Sequence, residues 1–192
     1  MKTKNLVLCG VCAAIICALA PLSVPLAGLV PVTLATFAVM LTGILLGGKF
    51  AVLSVSVYLL IGAMGVPVFS GYSAGVGVLF GPTGGYLIGY IPLAFLTGAL
   101  YEHFGKQKTG IKKYAVMITA MMIGTAVLYT FGTVWYCIVT GAGAVAALTV
   151  CVVPFLLGDA AKIAAVALLC PHLERAIGKI PESAEKNNTK EE

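Results

Sequence analysis

Gly158-Asp159-Ala160-Ala161-Lys162 lies inside an apolar run from about Phe155 to Leu173, and between Lys113 and Glu174 its acid and its base are the only formal charges. Three residues apart, the two share one face of a helix. A charge in lipid costs at least about 2.5–3.5 kcal/mol on insertion scales, so an intramembrane charge marks a pathway, a ligand site or an ion pair. The reading of the fold turns on whether that run crosses a membrane.

Composition says that it does. The 192 residues are 60% hydrophobic and 10% charged, with a mean hydropathy of +1.04. A soluble domain carries about 25% charged residues. Helices pair their own backbone groups, and the apolar runs lack the alternation of an outer-membrane barrel, so an all-α integral membrane protein is expected. There is room for about six spans of about 20 residues each. Little chain is left for a soluble domain such as an ATPase.

The spans read as follows. Helix one runs from about Asn5 to Ala20. It resembles a signal peptide, with Lys2 and Lys4 before it and Ala18-Leu19-Ala20 at its end, but Pro21 hinders cleavage there. A lipoprotein reading of Cys9 fails because Leu8 stands where a small residue is needed. Ala14 and Ala18 have small-xxx-small spacing, which permits close helix contact. Helix two covers about Val32 to Leu46, and Gly47-Gly48-Lys49 turns into helix three, about Phe50 to Ala63. The long loop 65–83 follows, rich in glycine yet carrying valines and aromatics, and is expected to fold back as a re-entrant segment or lid.

Helix four spans about Gly84 to Tyr101, with Tyr86 and Tyr90 on one face. Helix five runs from about Tyr114 to Val139. Helix six is placed from Phe155 rather than from Ala142, which puts Asp159 in its first turn, where the helix dipole favours an anion. Residues 1–177 form one membrane domain, and the charged tail 178–192 is expected to be disordered.

Charge placement sets the orientation. Eleven of the twelve Lys and Arg fall at the N-terminus, at Lys49, in the 106–113 connector and from Arg175 onward, while loops 21–31, 65–83 and 140–153 contain none. With six spans this places both termini in the cytoplasm. The net charge of +5 is therefore topology signal, not a nucleic-acid surface.

Several motifs dissolve on inspection. Gly43 to Lys49 nearly spells a P-loop, but Phe50 stands where Ser or Thr must hold magnesium, and a helix precedes it rather than a strand. Gly75, Gly77 and Gly81 miss the dinucleotide spacing. Cys9, Cys12, Cys170 and His172 share one side of the membrane, yet cysteine is a common apolar filler, so no metal is assigned. Asn187-Asn188-Thr189 is a sequon in a cytoplasmic tail. No nucleophile–base pair lies in the spans, so no enzyme and no cofactor are expected.

One reading of Asp159 and Lys162 is a structural ion pair alone, but buried pairs are poor stabilisers because desolvation cancels much of the attraction. Beneath a glycine-rich outer loop, the pair suits a polar ligand, with Tyr86, Tyr90, Tyr129 and Trp135 as walls with polar tips.

Pro67-Val68-Phe69, the segment from Gly75 through Gly81-Pro-Thr-Gly-Gly-Tyr86 to Gly89, and Pro154-Phe-Leu-Leu-Gly-Asp159-Ala-Ala-Lys162 together resemble the BioY family from about Leu6 to Leu173. These are biotin-binding S components of energy-coupling-factor (ECF) transporters. The resemblance implies six helices, an outward-facing biotin pocket closed by loops, and Asp159 and Lys162 as polar ligands. It brings Phe69 and Gly71 of the loop into the candidate site beside Tyr86, Tyr90 and Trp135. It also implies docking on a transmembrane coupling protein driven by two cytoplasmic ATPases, through the helix-one AxxxA matched by Ala14 and Ala18. Some members are proposed to work without ATPases, as homo-oligomers. Two departures stand out: many members have Thr-Leu-Gln-Thr where this chain has Thr33-Leu34-Ala35-Thr36, and in Gly71-Tyr72-Ser73-Ala74 a polar side chain that some members place near here is missing or replaced by Tyr72 or Ser73.

The expected function is biotin capture at the cell membrane and delivery inside. Asp159 and Lys162 complement a ligand with N–H donors and a carboxylate; which end meets which residue is left open by the sequence. The competing reading is a proton- or ion-coupled carrier in which Asp159 titrates, and a third is a purely structural membrane subunit.

Overall fold

The computed structural model describes residues 3–24 and 30–178; the tail 179–192 lies outside the described residues. Eight helices dominate: α1 (Thr3–Leu19), α2 (Ala35–Leu46), α3 (Gly48–Ala63), α4 (Val76–Phe80), α5 (Gly84–Phe104), α6 (Ile111–Thr140), α7 (Ala144–Cys151) and α8 (Val153–Gly178). A two-stranded antiparallel ribbon, β1 (Ser23–Val24) with β2 (Val32–Thr33), joins α1 to α2.

Helix α5 sits at the centre, packed on α6, α2 and α3, while α8 leans on α2. Of the three long apolar helices it is the most enclosed, at 61% against 39% for α6 and 28% for α8. Small residues bring these backbones together. A Cβ at Gly85 would stand 2.2 Å from Trp135 Cβ, and one at Gly98 would stand 2.5 Å from the Gly48 amide nitrogen. With little hydrophobic drive between helices in lipid, such close backbone packing is the main source of association.

Among the described residues, three helices are long and apolar enough to cross a membrane: Gly84–Phe104, Ile111–Thr140 and 155–177 within α8. The apolar helices α1, α2 and α3 are shorter, and α2, with 12 residues, rises only about 18 Å.

Helix two starts three residues later than the sequence suggests. Val32 and Thr33 are drawn into the ribbon, and Thr33 Oγ1 accepts the Ala35 amide at 3.1 Å. The stretch read as an apolar loop after Gly141 contains α7, and the chain breaks at Val152 (φ −127°, ψ −54°) before α8 begins. Asp159 therefore lies in the second turn of α8, not the first. The free N–H groups of the helix start are spent before it, so the dipole argument does not apply and its carboxylate is held by side chains instead.

Residues 65–83 form a 3-10 turn at Ser70–Tyr72 and the short helix α4. Phe69 pins this segment to α3: its ring meets Tyr58 edge-on at 5.6 Å and fills the space beside Gly62, where a Cβ would lie 2.2 Å from the ring. The Gly75 amide adds a bond to the Gly62 carbonyl at 2.8 Å. At the opposite end of the bundle Glu174 of α8 accepts from Tyr101 (2.8 Å) and pairs with Lys113, while Lys4 donates to the Ile177 carbonyl at 3.0 Å.

Candidate functional site

Three side chains from three helices meet at Asp159. Lys162, one turn on along α8, donates to its Oδ1 at 2.7 Å, and Tyr129 of α6 donates to Oδ2 at 2.6 Å. Thr36 of α2 lies between acid and base, 3.2 Å from Asp159 Oδ1 and 2.9 Å from Lys162 Nζ. Asp159 is 3% exposed and Lys162 8%, so the pair is removed from solvent. A buried charge is tolerated when it is paired and hydrogen-bonded, and here the cluster carries no net charge.

This cluster forms one wall of a cavity of about 220 Å³. Helix α5 contributes Tyr86 and Tyr90, as their i, i+4 spacing suggests, and Tyr86 stacks on Phe155 with ring centroids 6.2 Å apart. Tyr86 gains its place because Gly132 on α6 leaves room for the ring. Tyr90 lies beside Thr33 and Asp159. Phe69, Ser70 and Ser73 close the cavity from segment 65–83, and Tyr58 of α3 lines it behind Phe69.

Asp159, Lys162, Tyr86, Tyr90 and Phe69 are thus brought together, whereas Trp135 and Gly71 lie outside the lining. The Trp135 indole donates to the Gly81 carbonyl at 3.0 Å, tethering the end of segment 65–83 to α6. Gly71 has φ +63°, and its amide donates to the Pro21 carbonyl at 3.2 Å, linking that segment to the end of α1. Both residues shape the roof rather than the chamber. Sequence reasoning missed the bridging role of Thr36 and did not place Tyr58, Ser70 or Phe155 in the site. Thr33 and Thr36 at the head of an apolar helix were the available signal; nothing local marks Tyr58.

A second groove of about 500 Å³ runs between α6 and α8, lined by apolar residues such as Met122 and Ile163, and Tyr129 and Asp159 border it as well. The Tyr129–Asp159 bond is therefore a partition between the chamber and the outer face of the bundle.

The BioY family model matches residues 1–179, which takes in every described element. The chain belongs to the BioY family. It is 33% identical over 174 residues to a probable biotin transporter BioY of Pyrococcus horikoshii, covering 91% of this chain and 98% of that one. It is 40% identical over 129 residues to the biotin transporter BioY of Thermotoga maritima, covering 67% and 72%. Among solved structures it is similar to the S-component for biotin from an ECF-type ABC transporter, with a TM-score of 0.84, 25% identity and coverage of 91% and 92%. A BioY chain with three such apolar helices is a membrane-embedded protein. Within the BioY fold, the three segments that carry the sequence resemblance meet at the chamber: Phe69 from the first, Tyr86 from the second, and Asp159 and Lys162 from the third. Ala35, which stands where many members have glutamine, lines the chamber with a methyl group.

Proposed function

We propose that this chain is the biotin-capturing membrane subunit of an ECF transporter, taking the vitamin from outside and releasing it inside. The observation that carries the reading is the neutral Asp159–Lys162–Thr36–Tyr129 cluster set into an otherwise apolar and aromatic chamber. Biotin offers two ureido N–H donors, a ureido carbonyl and a carboxylate on an apolar chain, and such a chamber complements it. Asp159, Lys162, Tyr86, Tyr90 and Phe69 are the proposed contacts, with Trp135 and Gly71 holding the roof over them.

In this reading the chain has six spans, formed by α1, α2, α3, α5, α6 and α8, with both termini cytoplasmic and the chamber on the outer side. The charge distribution supports it. Segment 65–83 is the lid, residues 1–177 are one domain, and 178–192 are a cytoplasmic tail in the cell membrane protein. Ala14 and Ala18 are exposed on α1, with Gly10 one turn before them, and form the face offered to the coupling protein. Two cytoplasmic ATPases supply the energy. A homo-oligomer through the same face is the alternative assembly.

The ion-coupled carrier is disfavoured by the same geometry. Both oxygens of the Asp159 carboxylate are already engaged, Oδ1 by Lys162 and Thr36 and Oδ2 by Tyr129, which leaves it no open face toward a travelling ion. Labelled-biotin uptake by a biotin-requiring strain carrying the chain with an ATPase module tests the proposal. Uptake that follows ATP supports it; uptake that collapses with the proton gradient alone favours the carrier.

A further inference from the structure

Helices α6 and α8 are joined near their ends rather than along their length. Among the described residues two polar contacts connect them: the Tyr129–Asp159 bond at the chamber and the Lys113–Glu174 ion pair at the far end of the bundle. Between the two lies the open groove of about 500 Å³, walled by Ile118, Met122 and Ala126 of α6 and by Ala160, Ile163 and Ala164 of α8. Apolar contact is non-directional, and in lipid it adds little drive, so it does not fix how far one helix slides along the other. The polar contacts do.

Their spacing matches. Lys113 and Tyr129 stand 16 residues apart on α6, and Asp159 and Glu174 stand 15 apart on α8. At about 1.5 Å per residue these spans are about 24 Å and about 23 Å, so both contacts form in one register. A slide of half a turn, about 2.7 Å, stretches the 2.6 Å Tyr129 bond past hydrogen-bond range. At the other end it draws Glu174 off Tyr101 of α5, whose hydroxyl donates to it at 2.8 Å and whose ring is fully buried. Lys4 of α1 adds its bond to the Ile177 carbonyl at 3.0 Å, so side chains of α1, α5 and α6 all grip this end of α8. At the chamber end Thr36 of α2 bonds the same acid and base.

We infer that Glu174 is a positioning residue for the chamber: through Lys113 and Tyr101 it holds α8 in the register that keeps Asp159 on Tyr129. It is not among the chamber's lining residues and acts through about 23 Å of helix. A partner that takes up Glu174 or Lys113 therefore loosens the chamber from the opposite end of the bundle, and by linkage a bound ligand tightens the clasp. This rests on the biotin reading above.

The test is a double-variant cycle on purified protein, with biotin affinity read for wild type, Glu174→Gln, Tyr129→Phe and the two combined. Distant sites with no shared partner multiply their effects to within about twofold. Two ends of one register do not, because opening either end already frees the helix. Each single variant is expected to lose about tenfold, and the combined variant less than about thirtyfold rather than about a hundredfold. Lys113→Gln opens the clasp from α6, is expected to reproduce the Glu174→Gln results, and takes its place if that chain does not fold. Wild-type affinity in Glu174→Gln and Lys113→Gln, even with a lowered melting temperature, marks a structural tie alone and overturns the inference. So does a full multiplication of the two losses. Either result leaves the biotin reading standing; folded wild type that binds no biotin overturns both.

Discussion

The Tyr129 hydroxyl donates to Asp159 Oδ2 at 2.6 Å, tying the middle of α6 to α8 across the wall between the chamber and the outer groove. Because Oδ1 is taken by Lys162 and Thr36, this bond fixes the rotation of the carboxylate. Its removal leaves both partners folded but frees the carboxylate to turn. A hydrogen bond to a charged group is worth about 1.5–3 kcal/mol, so Tyr129→Phe is expected to weaken biotin binding by about tenfold or more. Calorimetric titration of the purified protein reads this directly, and wild-type affinity would show that the bond does not orient the site.

Lys162→Ala strips the cation from a buried acid. Breaking a buried pair from one side costs about 3–5 kcal/mol, whereas replacing both partners with apolar residues is often neutral. The single variant is therefore expected to melt well below wild type, and Asp159→Leu with Lys162→Leu together to recover most of that loss without recovering biotin binding. Thermal melts in detergent beside binding separate the two roles. Full binding by the double variant would make the pair purely structural.

Gly62→Ala places a methyl 2.2 Å from the Phe69 ring, which packs in a slot bounded by Tyr58. Overpacking costs about 1–3 kcal/mol, and here Phe69 must leave its slot and take segment 65–83 with it. Faster proteolysis within segment 65–83 and weaker biotin binding are expected. If Phe69→Leu in the Gly62→Ala background restores both, the clash is the cause; no effect of Gly62→Ala at all would show that Phe69 does not anchor the segment.

Ala14 and Ala18 face away from the bundle, and neither lines the chamber. Ala14→Trp blocks close approach of a partner helix without touching the ligand. Biotin affinity in detergent is expected to stay at the wild-type value while ATP-driven uptake with the ECF module falls at least tenfold. Loss of both, or of neither, would move the docking face elsewhere.

The parts of the fold written as composition and charge were legible in the chain. Two lone charges three residues apart in an apolar run marked α8 and its buried polar cluster, and Gly47 marked the turn between α2 and α3 because its φ of +78° suits glycine. Tyr86 and Tyr90 announced their shared face by their spacing. What stayed hidden depends on distant partners. Val32 and Thr33 read as helix, but the ribbon that captures them is paired with Ser23 and Val24. Trp135 read as a chamber wall, but the Gly81 carbonyl, 54 residues away, turns its indole to the roof. Thr36 looked like an ordinary helix-start threonine until α8 brought an acid and a base to it.

Equilibrium binding of biotin to the purified chain in detergent, wild type beside Asp159→Asn, bears most directly on the proposed role. The variant keeps the shape of the side chain but removes the charge that Lys162 and Tyr129 hold. Tight binding by wild type and at least a tenfold loss in the variant is the expected result. Equal affinity in both would contradict the site, and a folded wild type with no affinity for biotin would contradict the function.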